Sequence, residues 1–85
     1  MQLSILYFAW VREAIGNDGE AIDHPGDDAT VADVIAALSA RGGGYAQAFA
    51  DMTRVRAALD HAFVPFETPI GKAAELALFP PVTGG

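Results

Sequence analysis

Cysteine is absent from the chain, and that one absence removes a disulfide framework, a thiolate zinc site and a thiol nucleophile together. Any sulfur chemistry must then use an atom other than a cysteine side chain. Basic residues are scarce: five Lys and Arg stand against eleven Asp and Glu, a formal net charge of −6. A surface of that sign repels nucleic acid and anionic membrane, so neither is expected as a partner, and it favours a basic protein surface. No apolar run approaches the roughly 20 residues a bilayer span requires, and no charged leader with a long apolar stretch opens the chain, so a cytoplasmic protein is expected. The only histidines, His24 and His61, each follow an aspartate but lie far apart; they are read as turn residues, and no metal site is expected. Gly42-Gly43-Gly44 lacks the Lys-Ser/Thr that a phosphate-cradling loop needs, and no Ser/His/Asp constellation occurs. The chain is expected to bind no cofactor of its own.

What is present is enough for one core. The 85 residues suit a single domain, too small to cover both faces of a sheet. Gln2 to Phe8 alternates, placing Leu3, Ile5 and Tyr7 on one face and Ser4, Leu6 and Phe8 on the other. Ala9 to Ile15 reads as a short helical turn, and Glu20 to His24 as a weak strand ended by Pro25-Gly26. Thr30 with Asp33 predicts a capped helix whose stripe is Val31, Val34, Ile35 and Leu38, stopped by Arg41 and Gly42-Gly43-Gly44. Tyr45, Phe49 and Met52 recur at helical spacing as core packing. Val55 to Leu59, an Asp60-His61 turn and Ala62 to Val64 read as a hairpin, pairing Leu59 with Ala62, Ala58 with Phe63, Ala57 with Val64 and Val55 with Phe66. Glu75 to Phe79 is the last strand. The pattern predicts an α+β domain, a mixed sheet of four to five strands with one main helix on one face. Leu6, Phe8, Phe63 and Phe79 would then share the uncovered face, the expected place for a protein partner.

The domain is read as residues 1–79, followed by an extended segment, residues 80–85, running Pro80-Pro81-Val82-Thr83-Gly84-Gly85. The prolines favour a stiff, extended spacer. Gly84 and Gly85 carry no Cβ and would thread a slot too narrow for side chains. Six extended residues reach roughly 20 Å, which suits delivery of the Gly85 carboxylate into a partner's buried site.

Phe8-Ala9-Trp10-Val11-Arg12-Glu13 resembles the F-A-x-x-R-E signature of molybdopterin synthase small subunits, and Phe79-Pro80-Pro81-Val82-Thr83-Gly84-Gly85 resembles their terminal motif. The resemblance spans essentially the whole chain and departs from the family pattern in two places. Gly71-Lys72-Ala73-Ala74-Glu75 stands where an Asp-Gly-Asp turn is usual, and Asp60 where Asn is common. It implies a β-grasp, ubiquitin-like fold. It also implies a mechanism in which a ubiquitin-activating-type adenylyltransferase uses ATP and Mg to adenylate Gly85. A sulfur donor enzyme then converts the adenylate to a thiocarboxylate, and the large synthase subunit applies its sulfur to cyclic pyranopterin monophosphate, in a two-plus-two heterotetramer. By position, Phe8, Arg12, Phe63 and Phe79 would dock, Pro80, Pro81, Val82 and Thr83 would also bind the partner, Gly84 would thread and Gly85 would react. Two alternatives stand beside it: sulfur carriage for the thiazole of thiamine or for transfer RNA thiolation, and a ubiquitin-like modifier or interaction module.

Overall fold

The computed structural model describes residues 1–81. Five strands form one mixed sheet in the order β2-β1-β5-β3-β4. Their bounds are β1 (Gln2–Tyr7), β2 (Gly19–Asp23), β3 (Arg56–Leu59), β4 (Ala62–Val64) and β5 (Glu75–Phe79). β1 and β5 run parallel at the centre, and every other neighbouring pair is antiparallel. Three short helices accompany it: α1 (Ala9–Ile15), α2 (Val31–Ser39) and α3 (Gly43–Ala48), with a 3-10 turn at Met52–Arg54. This is the α+β, β-grasp arrangement expected, with α2 as the longest helix.

Each element follows from its local sequence. In β1 the alternation buries Leu3, Ile5 and Tyr7 to 1% exposure or less, and in β5 Leu76 and Leu78 are fully buried. Val31, Val34, Ile35 and Leu38 of α2 lie against them, each such buried side chain contributing about 1.5–3 kcal/mol. The first turn of α2 has its orphan donors satisfied from two directions. Thr30 and Asp33 complete the capping box, while the Val31 and Ala32 amides donate to the carbonyls of Thr68 and Phe66 in the loop before β5. Helix start and loop therefore hold each other.

The expected stop at Gly42-Gly43-Gly44 is placed differently. α2 ends at Ser39, and the glycines open α3, with Gly42 as its N-cap. The reason is tertiary: a Cβ on Gly44 would stand 2.1 Å from the Ala14 carbonyl oxygen, so only glycine lets α3 seat against the end of α1. Tyr45, Phe49 and Met52 all pack on the core, but from α3, its cap and the 3-10 turn rather than from one helix. The hairpin register is as expected for Leu59–Ala62, Ala58–Phe63 and Ala57–Val64. β4 ends at Val64, so Val55 and Phe66 are not a ladder pair. Among the described residues no helix is long and apolar enough to cross a membrane.

Candidate functional site

The helices pack on the side of the sheet that carries the core. Register across the five strands sets what the opposite side presents. Gly19 of β2 pairs with Leu6 of β1, Leu6 with Ala77 of β5, Ala77 with Ala58 of β3, and Ala58 with Phe63 of β4. Two alanines at the middle of that row make a shallow trough. Phe79 flanks it on β5, its ring 5.3 Å from that of Phe63. Phe8 extends the β1–β5 ladder by one bond, its amide donating to the Leu78 carbonyl, which sets it beside Phe79. Leu6, Phe8, Phe63 and Phe79 thus line one apolar groove of about 410 Å³ with Ala58 and Ala77 as its floor. Phe8 is 46% and Phe63 76% exposed. All the aromatics expected on this face are brought together.

Arg12 lies on α1, exposed, on the rim of an adjoining concavity that shares Leu6 and Phe8. Its position depends on how the chain leaves β1. Phe8 is the extended N-cap of α1, with no side-chain cap, and its carbonyl accepts from the Val11 and Arg12 amides. Ala9 follows in the left-handed region at φ 53°, a conformation costing about 1–2 kcal/mol for a residue with a Cβ. That step turns the chain from strand into helix within one residue, keeping Phe8 on the open face while Val11 enters the core.

A polar hub that the sequence reading did not find steadies the same end of β1. Tyr7 and Tyr45 hydroxyls donate to Glu20 Oε2 at 2.8 and 2.6 Å, and Arg41 Nη1 donates to Glu20 Oε1 at 2.6 Å. Burial alone would raise the Glu20 pKa, but the hydrogen bonds from Arg41, Tyr45 and Tyr7 outweigh it and hold the carboxyl below its ordinary value. Burial, and then the Glu20 hydrogen bond, push the Tyr7 phenol far above its usual range. The available signal was parity: Glu20 shares the face of Ile22 in β2, an unusual place for a carboxylate without partners.

The β3–β4 turn has Asp60 and His61 both at positive φ, as a two-residue turn matching strand twist requires. Asp60 Oδ1 also accepts from the Ala74 and Glu75 amides at 3.0 Å each, so this residue ties the turn to the loop before β5. His24 and His61 both sit in connections, and no cluster of metal-ligating side chains occurs among the described residues. Pro80 and Pro81 follow β5, half-buried. The expectations for Val82, Thr83, Gly84 and Gly85 lie outside the described residues.

Residues 5–85 match the ThiS family. The chain is 37% identical over 83 residues to the molybdopterin synthase sulfur carrier subunit of Haemophilus influenzae, covering 98% of this chain and 99% of that protein. It is 36% identical, with the same coverage, to the protein of that name from Escherichia coli. Among solved structures, SAMP1 from Haloferax volcanii superposes with a TM-score of 0.71 at 26% identity over the full length of both chains.

Proposed function

The chain belongs to the ThiS family of ubiquitin-like sulfur carriers, and we propose that it supplies sulfur to a molybdopterin synthase through its Gly85 carboxyl group. A carboxylate is a poor electrophile. An adenylyltransferase of the ubiquitin-activating type, which binds ATP and Mg, would convert it to an acyl-adenylate with loss of pyrophosphate. A donor enzyme's sulfur, at the oxidation level of sulfide, would displace AMP and leave a thiocarboxylate. Its sulfur is an anionic nucleophile needing no side chain for activation, which agrees with the absence of cysteine. The large synthase subunit would hold cyclic pyranopterin monophosphate, and two charged carriers would furnish its two sulfurs in a two-plus-two assembly. Residence in the cytoplasm belongs to the same proposal.

This chain's own contribution is placement. The open face seats on the partner, β5 ends in that face at Phe79, and Pro80-Pro81 continue from it toward Val82-Thr83-Gly84-Gly85. Anchoring the face and stiffening the spacer confine the reacting sulfur near its target, which replaces an encounter by a local event. The observation that carries the reading is this groove of exposed aromatics on the strand that leads into Gly-Gly, in a chain more than a third identical to named sulfur carriers over nearly its whole length.

Intact mass tests it. Incubated with the activating enzyme, ATP and a sulfur donor, the chain should gain the increment of one oxygen-to-sulfur exchange, located at Gly85. The charged chain should then form molybdopterin with the large subunit and cyclic pyranopterin monophosphate. Removal of Gly85 should stop both steps and leave the unfolding midpoint unchanged. Attachment to another protein instead of sulfur uptake would make the chain a modifier, and sulfur uptake without product would point to a thiazole or transfer RNA pathway.

A further inference from the structure

Five lysines and arginines serve eleven carboxylates in this chain, and three of the five are engaged by its own carboxylate or aromatic side chains. Arg41 pairs with Glu20 at 2.6 Å, Lys72 with Asp27 at 2.8 Å, and Arg54 lies 4.7 Å over the Trp10 ring. The remaining two, Arg12 and Arg56, are exposed. Asp18 borders the same concavity as Arg12, and Glu67 the same concavity as Arg56, yet among the described residues neither arginine forms an ion pair.

Both stand at one end of the open face. Arg56 is the register partner of Phe79, the residue from which Pro80 departs, and it shares the face of Ala58. Arg12 lies one helical turn beyond Phe8. The opposite end of the groove carries Glu75, which pairs with Ser4 and has His61 Nδ1 3.8 Å from its carboxylate. Along the strand direction the apolar floor therefore runs from two guanidiniums without ion-pair partners among the described residues, where Pro80 departs, to the Glu75 carboxylate at the far end. Arg56 is also held in place: its Nη1 donates to the carbonyls of Thr53 and Val55 at 3.2 and 2.9 Å, so the rest of the guanidinium fork is presented at little further entropic cost. Covering the floor strips water from this fork, and a stripped guanidinium requires an acceptor.

We infer that Arg56, together with Arg12, meets carboxylates on the docking surface of the large synthase subunit and sets which way round the open face seats. The inference rests on the carrier reading for the identity of the partner. A reversed seating would put the partner's carboxylates against Glu75, and like charges brought together reject the wrong orientation. Arg56 is then a specificity-determining residue: the aromatics supply adhesion, and the arginines supply direction.

The test measures binding of the full chain to the large subunit at low and high salt, for wild type, Arg56→Glu, Arg56→Gln and Arg56→Lys. Urea unfolding runs in parallel, because Arg56 also bonds its own backbone. Wild-type affinity should fall with salt; Arg56→Glu should bind about tenfold weaker or worse at low salt with a flatter salt dependence; and Arg56→Lys should recover most of the loss. Equal affinity for wild type and Arg56→Glu overturns the inference alone. So does a variant that loses stability but keeps the wild-type salt dependence, since that is a purely structural role. A free chain that sediments as a dimer dispersed by Arg56→Glu also overturns it, making a second copy the occupant. Failure of the wild-type chain to bind the large subunit removes the carrier reading and this inference with it.

Discussion

At the scale of single residues, Glu20 has the most consequence for stability. Its carboxylate receives two phenols and a guanidinium from three separate elements or their connections, and it is 19% exposed. Because its folded pKa lies below the ordinary 4.5, the stabilisation is fully present above that value and fades as pH falls through the lower, folded one. Glu20→Gln should therefore cost about 1.5–3 kcal/mol near neutral pH, the range for hydrogen bonds to a charged group. The gap between variant and wild type should close on acidification below the ordinary carboxylate range. Urea unfolding midpoints followed from neutral to acid pH check this. Asp27 and Asp51 also have depressed pKa values, Asp27 from Lys72 and Asp51 from Thr53, but both are present in either chain and cancel in the difference.

At the scale of elements, the β3–β4 hairpin and the entry to β5 act as one unit through Asp60. The backbone amide of Asp60 donates to the Glu75 carbonyl, and its side chain accepts from the Ala74 and Glu75 amides. Asp60→Ala leaves two amides without this acceptor and places a Cβ residue without a local polar partner at φ 47°. The expected loss is about 1–2 kcal/mol. Asp60→Asn keeps the oxygen and tolerates the left-handed backbone, so it should stay close to wild type. Chemical denaturation of both variants separates the two contributions, and amide exchange at Ala74 and Glu75 should quicken only in the alanine variant.

For the whole molecule, the division of the sheet into a helix-covered face and an open one separates folding from docking. Phe63 makes little contribution to the core at 76% exposure, so Phe63→Asp should leave the unfolding midpoint nearly unchanged. The same change puts a charge into the groove formed with Phe79 and Phe8 and should abolish binding to the large subunit, as read by calorimetry. A loss of binding that merely tracked a loss of stability would contradict this separation. The tail lies downstream of the same face, so a chain that cannot dock should also fail to deliver sulfur even when fully charged.

Periodicities of two and of 3.6, the Thr30–Asp33 cap and the turn residues lie within a few positions of one another, and such local signals were enough for the strands, the principal helix, the hairpin register and the aromatics of the open face. The motifs at Phe8 to Glu13 and Phe79 to Gly85 were equally legible and carried the family. What only the tertiary structure decided are contacts between residues distant in sequence. Glu20 meets Arg41 and Tyr45 more than twenty positions away, and Asp60 meets a loop fourteen residues on. Gly44 belongs to a helix rather than a stop because Ala14 lies against it. The split of charge along the open face has the same origin, since strand order sets Arg56 beside Phe79 and Glu75 beside Ser4. Short-range sterics and hydrophobic spacing act within a segment and so can be read along it; pairing of charges, hydroxyls and close backbones depends on which segments become neighbours.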